Sequence, residues 1–154
     1  MPTNPQCGAP ARWGRAPALV AAALIALATL AVFWPALDNG FVAWDDKEYV
    51  VANAMVREGL TLRGIAWAAT SFSAGNWHPV TWLSHMADVS VFGMVPRGHH
   101  LTSVLIHGVN GALLFLALRG LTGAFWRPAL AAALFALHPL RVESVAWVTE
   151  RKDA

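Results

Sequence analysis

Three apolar runs dominate the pattern of hydrophobic and polar positions along this chain. Positions 16–37 contain no charged residue, and a second uncharged run covers 101–118. A helix rises about 1.5 Å per residue, so the first run is long enough to cross a hydrocarbon core of roughly 30 Å. The third run, 128–137, covers only about half of a bilayer, so it must continue through His138 and Pro139 or pack inside a bundle. The pattern predicts an all-α, polytopic transmembrane helix bundle.

The first run has a second interpretation, a cleaved secretory signal, because Arg12 and Arg15 precede it. Its apolar stretch is longer than a typical signal core, and the segment 33–35 is a poor small-residue cleavage site. We therefore predict an uncleaved first span. The predicted segments are a cytoplasmic tail (1–15), transmembrane helix 1 (16–37), an outer loop (38–100), transmembrane helix 2 (101–118), a cytoplasmic link (119–127), transmembrane helix 3 with the start of a second outer loop (128–148), and a truncated polar end (149–154).

Basic residues set the predicted orientation. Arg12 and Arg15 precede the first span, and Arg119 and Arg127 flank the short link between the second and third. The positive-inside rule places both regions in the cytoplasm. The N-terminus is then cytoplasmic, and all nine acidic residues fall on the other side of the membrane. Any chemistry is therefore expected outside.

The long outer loop contains signals for short helices rather than for disorder. Positions 61–67 have the pattern of an amphipathic helix, and a turn is expected around 74–76. His78-Pro79 predicts the start of another helix, because proline is favoured at the first helical position. We expect these helices to lie at the membrane surface.

Composition supports a membrane protein and excludes one class of partner. Apolar residues make up 56% of the chain and charged residues 13%, against about a quarter charged in ordinary soluble domains. The net charge of +2 is small, and no basic run is interleaved with aromatic residues. We therefore expect membrane lipid, and no nucleic acid, among the partners.

The acidic pair Asp45-Asp46 lies just beyond the first apolar run. Adjacent carboxylates raise the pKa of one of the two, which could then act as a base, or they bind a divalent cation together. The alternative is that Asp46 caps a short helix and Asp45 is merely solvated. Both interpretations remain open from the residues alone.

His78-Pro79 and His138-Pro139 begin two similar stretches, each with a serine six positions after the histidine. A histidine at the start of a helix, where backbone N–H groups are free, suits a phosphate-bearing ligand. The alternative is coincidence between two ordinary helix starts. Arg141 and Glu143 follow at a depth that suggests a polar cavity, with a surface ion pair of little energetic weight as the alternative.

The remaining polar residues predict packing rather than chemistry. Ser103, His107 and Asn110 share one face of the second span, where polar groups commonly join helices, and Gly108 and Ala112 support a packing face. The six histidines are scattered, and no two-histidine motif with a neighbouring glutamate occurs. We therefore predict no zinc site, and no cofactor beyond the divalent cation that the acidic pair could bind.

Four segments carry a combined pattern: 39–46 with the acidic pair, 75–86 with His78, 98–102, and 136–153 with His138 and Arg141. In order and spacing they resemble bacterial membrane proteins with C-terminal tetratricopeptide repeats. Those proteins are similar to the transmembrane O-mannosyltransferases with tetratricopeptide repeats, in the GT-C glycosyltransferase superfamily. The resemblance covers nearly the whole chain from Pro35 onward.

The resemblance implies a bacterial inner-membrane enzyme of GT-C-like fold, of which this chain is an N-terminal fragment that is inactive alone. It assigns catalysis to Asp45, with Asp46 beside it, and substrate binding to His78, His138, Arg141 and Glu143. The implied reaction transfers a sugar from a polyprenyl-phosphate donor to a hydroxyl of an acceptor protein or glycan. The alternative is a non-catalytic polytopic anchor that displays the repeats for protein binding. A transporter is disfavoured, because no inverted repeat is evident.

Overall fold

A computed structural model describes residues 14–153, and within this range the chain is helical and contains no strand. The predictions that rest on Arg12 lie outside the described residues. The described residues form seven α-helices: α1 (Arg15–Phe33), α2 (Ala54–Arg57), α3 (Leu62–Thr70), α4 (Pro79–Phe92), α5 (Pro96–Thr122), α6 (Trp126–Leu137) and α7 (Val142–Ala146). Short 3₁₀ turns cover Trp34–Asp38, Ser73–Gly75, Pro139–Arg141 and Thr149–Asp153, and a π turn covers Lys47–Val51.

Between residues 14 and 153, two segments are long and apolar enough to cross a membrane. They are Arg15–Asp38, which joins α1 to its 3₁₀ turn, and Pro96–Thr122. Helix α6 and the segment Pro139–Ala146 are bent by 48° at a short break and make a third span if they are counted together. The prediction of an all-α fold with several membrane-spanning helices is confirmed. Helix α5 begins before the predicted apolar run, because Pro96 provides a favoured first residue.

Small residues bring the spanning helices α1, α5 and α6 close together. A Cβ atom placed on Gly108 would lie 3.3 Å from the Ala26 carbonyl of α1, and one on Gly111 would lie 2.9 Å from the Ala136 Cβ of α6. His107 also joins two of these helices, since its Nε2 donates to the Ala136 carbonyl at 3.1 Å. The predicted packing role of this face is confirmed for His107 and Gly108.

The outward face of α1 is apolar, as expected of a helix that contacts lipid. Leu19, Val20, Leu24 and Leu27 are each more than half exposed. Beyond Arg15 the helix carries no charged residue, so this face is compatible with a hydrocarbon environment.

The segments beside the spanning helices pack into a second core, which we call the polar region (residues 39–92 and 139–153). The predicted helices of the long loop are confirmed here. Thr61 caps α3 by accepting the Gly64 N–H at 3.0 Å, and α4 begins at Pro79. The expected turn between them is the 3₁₀ segment Ser73–Gly75. Together they enclose a buried apolar cluster of Tyr49, Val50, Val56, Ala68, Trp82, Met86 and Val148.

Candidate functional site

The segment that carries the acidic pair is fixed by the second carboxylate. Asp46 is completely buried, and its Oδ2 accepts the backbone N–H of Val42 at 2.9 Å. Its Oδ1 accepts the backbone N–H of Thr149 at 3.0 Å and the hydroxyl of Thr149 as well. Donors to both oxygens stabilise a buried carboxylate, because each replaces a hydrogen bond to water. Asp46 therefore ties the 39–46 segment to the last described turn of the chain.

The two members of the acidic pair have different environments. The helix-cap interpretation of Asp46 is wrong, because its side chain makes no capping hydrogen bond to the π turn that follows it. Its carboxylate faces inward toward Thr149 instead. Asp45 is half-buried, and its neighbour Trp44 is 78% exposed. Of the two carboxylates, Asp45 is the one that a molecule from outside can reach.

One aromatic contact and one buried histidine hold the same segment against the start of α5. The Phe41 ring packs edge-on to the His99 ring, with centroids 5.3 Å apart. His100, which is also buried, lies beside the backbone of Gly40 and near the Asp46 carboxylate. The backbone around Asp45 is thus supported from both sides and positions its carboxylate without a contribution from Asp45 itself.

His78 is part of an aromatic stack at the start of α4. Its ring lies nearly parallel to that of Tyr49 at 5.4 Å and is 4.8 Å from Trp82. Partial burial and the nearby positive charge of Lys152 lower the pKa of His78 below its usual value. The side chain is therefore mainly neutral near pH 7.

His138 and Arg141 line a recess of about 310 Å³ together with Leu134, Phe135 and Leu140. His138 Nδ1 accepts the Leu140 N–H at 3.2 Å, so the ring proton is on Nε2, which can donate to a ligand. The Arg141 guanidinium lies 4.5 Å above the Phe135 ring, a cation–π contact that fixes its position. The recess thus offers two hydrogen-bond donors, one of them charged.

Glu143 is exposed on α7, and it forms no ion pair with Arg141. The interpretation of these two residues as a surface ion pair is therefore wrong. Across the described residues, His138 and Arg141 share one recess, whereas His78 belongs to the aromatic stack around Trp82. No hydrogen bond, ion pair or ring contact within residues 14–153 joins these two groups to each other.

A second buried polar cluster lies between α4, α5 and the end of the described chain. Asp88 pairs with Arg151, whose Nη2 is 2.6 Å from Asp88 Oδ2, and Asp88 Oδ1 accepts the Thr102 hydroxyl at 2.7 Å. Arg151 also donates to the His99 carbonyl at 2.7 Å and to the Ser103 hydroxyl at 3.1 Å. Burial lowers the pKa of Arg151, and the Asp88 carboxylate opposes that shift. This cluster joins three parts of the chain that are distant in sequence.

The chain is similar in sequence to several protein O-mannosyl-transferases of animals. Protein O-mannosyl-transferase Tmtc1 of Drosophila melanogaster is 36% identical over 124 residues, which are 76% of this chain and 14% of that protein. Tmtc2 of the same organism is 36% identical over 125 residues, 76% of this chain and 13% of the relative. TMTC1 of Homo sapiens is 33% identical over 155 residues, 91% of this chain and 17% of the relative. The chain is related to the protein O-mannosyl-transferases.

The relationship covers a small part of each relative, since the chain spans only 13–17% of the length of these three proteins. No protein-family model matches the chain, and no solved structure matches it. The bacterial origin and the tetratricopeptide repeats therefore stay predictions, whereas the kinship with O-mannosyl-transferases and the membrane-spanning helices are findings.

Sequence reasoning did not identify the cluster around Asp88 and Arg151. It placed Asp88 among the acidic residues of an outer loop and Arg151 in a truncated polar end. One signal was available: His85 and Asp88 are three positions apart, so a helix there puts both on one face. No local pattern indicates that Arg151 returns to that face, because the contact joins residues 63 positions apart in the chain.

Proposed function

We propose that this chain is the N-terminal part of an integral-membrane glycosyltransferase that moves a sugar from a polyprenyl-phosphate donor to an acceptor hydroxyl. The observation that carries the proposal is the difference in environment between the two residues of the acidic pair. Asp46 is buried and hydrogen-bonded, whereas Asp45 is accessible on a segment that its neighbours hold in place. The kinship with protein O-mannosyl-transferases supports this assignment.

Asp45 is the general base in this proposal. Its carboxylate takes the proton of the acceptor hydroxyl, whose oxygen forms a bond to the anomeric carbon of the sugar. The bond between that carbon and the phosphate oxygen breaks, and the polyprenyl phosphate leaves with the electron pair. A base that is already positioned contributes typically about 10²–10⁴-fold to such a step.

The departing phosphate requires donors, and the recess of His138 and Arg141 supplies them. Arg141 offers a guanidinium with a fixed charge, and His138 offers its Nε2–H. His78 and Glu143 are proposed to contact the sugar or the acceptor from the neighbouring surface. A lipid-linked donor can approach this side of the protein through the bilayer, because the spanning helices present apolar faces to it.

The orientation proposed for this enzyme has the N-terminus in the cytoplasm of a bacterial cell and the acidic pair beyond the outer face of the inner membrane. The acceptor is then a protein or a glycan on that side. Both oxygens of Asp46 accept hydrogen bonds within the protein, so Asp46 is not free to bind a cation. A divalent cation in this reaction would therefore bind to Asp45 alone.

The test is sugar transfer by the full-length protein that contains this chain. Purified protein in lipid nanodiscs is supplied with radiolabelled polyprenyl-phosphate sugars and an acceptor extract from the same membranes. We expect transfer by the wild-type protein and a loss of about 10²–10⁴-fold with Asp45→Asn. Asp38→Asn is the matched control, because Asp38 is an exposed carboxylate paired with Arg97 rather than with substrate.

A different result identifies the alternative function. If wild-type protein transfers no sugar from any donor, or if Asp45→Asn transfers as fast as Asp38→Asn, Asp45 is not the base of a glycosyltransferase. The chain would then serve as a membrane anchor, and binding of partner proteins to the remainder of the molecule would be its measurable activity.

A further inference from the structure

Three potential metal ligands meet in the buried cluster at the α4–α5 junction. His85 and Asp88 lie one turn apart on α4, and His99 lies in the first turn of α5. One ligand atom from each residue lies within 4.8 Å of the other two. All three side chains are almost completely buried: Asp88 is 4% exposed, and the two histidines are 0% exposed. None of these residues takes part in the proposed sugar transfer.

The hydrogen bond of His99 determines which nitrogen can bind a cation. Its Nε2 lies 3.2 Å from the Gly93 carbonyl, which can only accept, so that nitrogen carries the proton. Nδ1 of the neutral ring then carries a lone pair, and this nitrogen lies 3.4 Å from Asp88 Oδ2. Arg151 already supplies one positive charge to that oxygen, at 2.6 Å. The lone pair of Nδ1 remains without a partner unless a cation binds there or Nδ1 carries a second proton.

His85 provides the independent indication of a ligand. Its side chain is fully buried, and neither ring nitrogen has a hydrogen-bond partner within the described residues. Buried polar atoms in folded proteins are nearly always paired. An unpaired nitrogen of this buried imidazole is therefore available as a ligand to a cation.

We propose that His85, Asp88 and His99 bind a divalent transition-metal ion of the zinc class. Zinc bonds to nitrogen and carboxylate oxygen measure about 2.0–2.2 Å, so two ligand atoms of one tetrahedral site lie about 3.3–3.6 Å apart. The 3.4 Å between Asp88 Oδ2 and His99 Nδ1 is such an edge. His85, whose ring centroid is 6.3 Å from that of His99, completes a two-histidine, one-carboxylate set.

The surroundings match those of a metal-bound histidine and carboxylate. Gly93 accepts from the second nitrogen of His99, and Thr102 donates to the second oxygen of Asp88. Such outer contacts orient ligands and fix their tautomers. Arg151 also contacts Asp88, so it competes with the metal for the carboxylate and limits the affinity. The ion would link α4 to α5 and would therefore be structural.

Metal binding to the full-length protein tests this directly and does not depend on sugar transfer. Detergent-solubilised protein, stripped with a chelator, is titrated with Zn²⁺ against a chromogenic competitor, and with Co²⁺ as the spectroscopic probe. We expect wild-type protein to bind one Zn²⁺ per chain, with a Co²⁺ spectrum of tetrahedral type and an X-ray absorption signal with two imidazole nitrogens. His85→Asn, Asp88→Asn and His99→Asn should each weaken binding by at least about 10–100-fold.

The matched control is Asp38→Asn, a change at an exposed carboxylate that pairs with Arg97, and it should bind the metal as tightly as the wild-type protein. Even if a ligand variant fails to fold, the wild-type spectra show whether the protein binds the metal through two imidazole nitrogens. Absence of Zn²⁺ and Co²⁺ binding by folded wild-type protein would overturn the proposal and favour a protonated His99 paired with Asp88. Binding that all three variants retain would overturn it equally.

Discussion

The spanning helices and the polar region are stabilised by different kinds of contact. Between α1, α5 and α6, backbones approach closely at Gly108 and Gly111, and the core is made of alanines with Phe115. In the polar region, buried carboxylates at Asp46 and Asp88 organise the chain around them. The first kind of contact tolerates a lipid environment, and the second supplies the positioned charges that chemistry requires.

This difference explains where a reactive group can lie. A charge inside the spanning bundle would require a partner at membrane depth. In the polar region, Asp46 and Arg151 are satisfied by several hydrogen bonds each, and they hold the backbone of their neighbours. Asp45 can remain accessible because its position does not depend on its own contacts.

Cysteine labelling tests the predicted orientation, in which the polar region lies outside the membrane and the link between α5 and α6 lies in the cytoplasm. Single cysteines replace the exposed residues Glu58 and Thr122 in a Cys7→Ser background. An impermeant thiol reagent should label position 58 in intact cells and position 122 only after permeabilisation. Gly59 is a poor probe position, because its φ is +73° and a Cβ there would meet the Ser90 hydroxyl at 2.5 Å. Labelling of 122 alone in intact cells would invert the orientation.

Arg151→Met should have the largest effect on stability. It leaves the Asp88 carboxylate buried without its charged partner, which typically costs about 3–5 kcal/mol. The free energy of unfolding, measured by denaturant titration in detergent, is the readout. Arg97→Met is the matched control, because the Arg97–Asp38 pair has side chains 55% and 70% exposed. An exposed pair of this kind contributes only about 0–1 kcal/mol.

Equal destabilisation by Arg151→Met and Arg97→Met would contradict the contrast between buried and exposed pairs. The double variant Asp88→Asn with Arg151→Met adds a second check. Since it removes both charges, it should be more stable than Arg151→Met alone.

Gly111→Leu should destabilise the spanning bundle by a smaller amount. The new side chain would begin 2.9 Å from the Ala136 Cβ and would force α5 and α6 apart. Overpacking of this kind typically costs about 1–3 kcal/mol. Gly120→Leu on the same helix is the control, because a Cβ there meets nothing within 4 Å. If both variants unfold at the same denaturant concentration, close approach at Gly111 does not hold the helices together.

Much of the fold was predictable from the sequence, because its signals are local. The uncharged run before Asp38 indicates a spanning helix, and His78-Pro79 indicates a helix start, from residues that are neighbours in the chain. The contacts of Asp46 and Asp88 were not predictable in this way. Each depends on a partner, Thr149 or Arg151, that only the packing of the whole chain brings near.

In the candidate site, too, the residues could be predicted from local sequence, whereas their environments could not. Sequence resemblance assigned catalysis to Asp45 and placed Asp46 beside it, but it gave Asp46 no task of its own. Burial separates them. Likewise, two similar His-Pro stretches lead to different environments, an aromatic stack for His78 and an exposed recess for His138.

The central claim is that Asp46 is a structural anchor and Asp45 the catalytic base, and one paired measurement tests it. Sugar transfer and the free energy of unfolding are measured for the full-length protein with Asp45→Asn and with Asp46→Asn. Asp46→Asn should destabilise by about 1–3 kcal/mol for each donor left unpaired. Asp45→Asn should leave stability within about 0.5 kcal/mol and lower transfer by about 10²–10⁴-fold. Full transfer by Asp45→Asn, together with a loss of transfer by an equally stable Asp46→Asn, would contradict the claim.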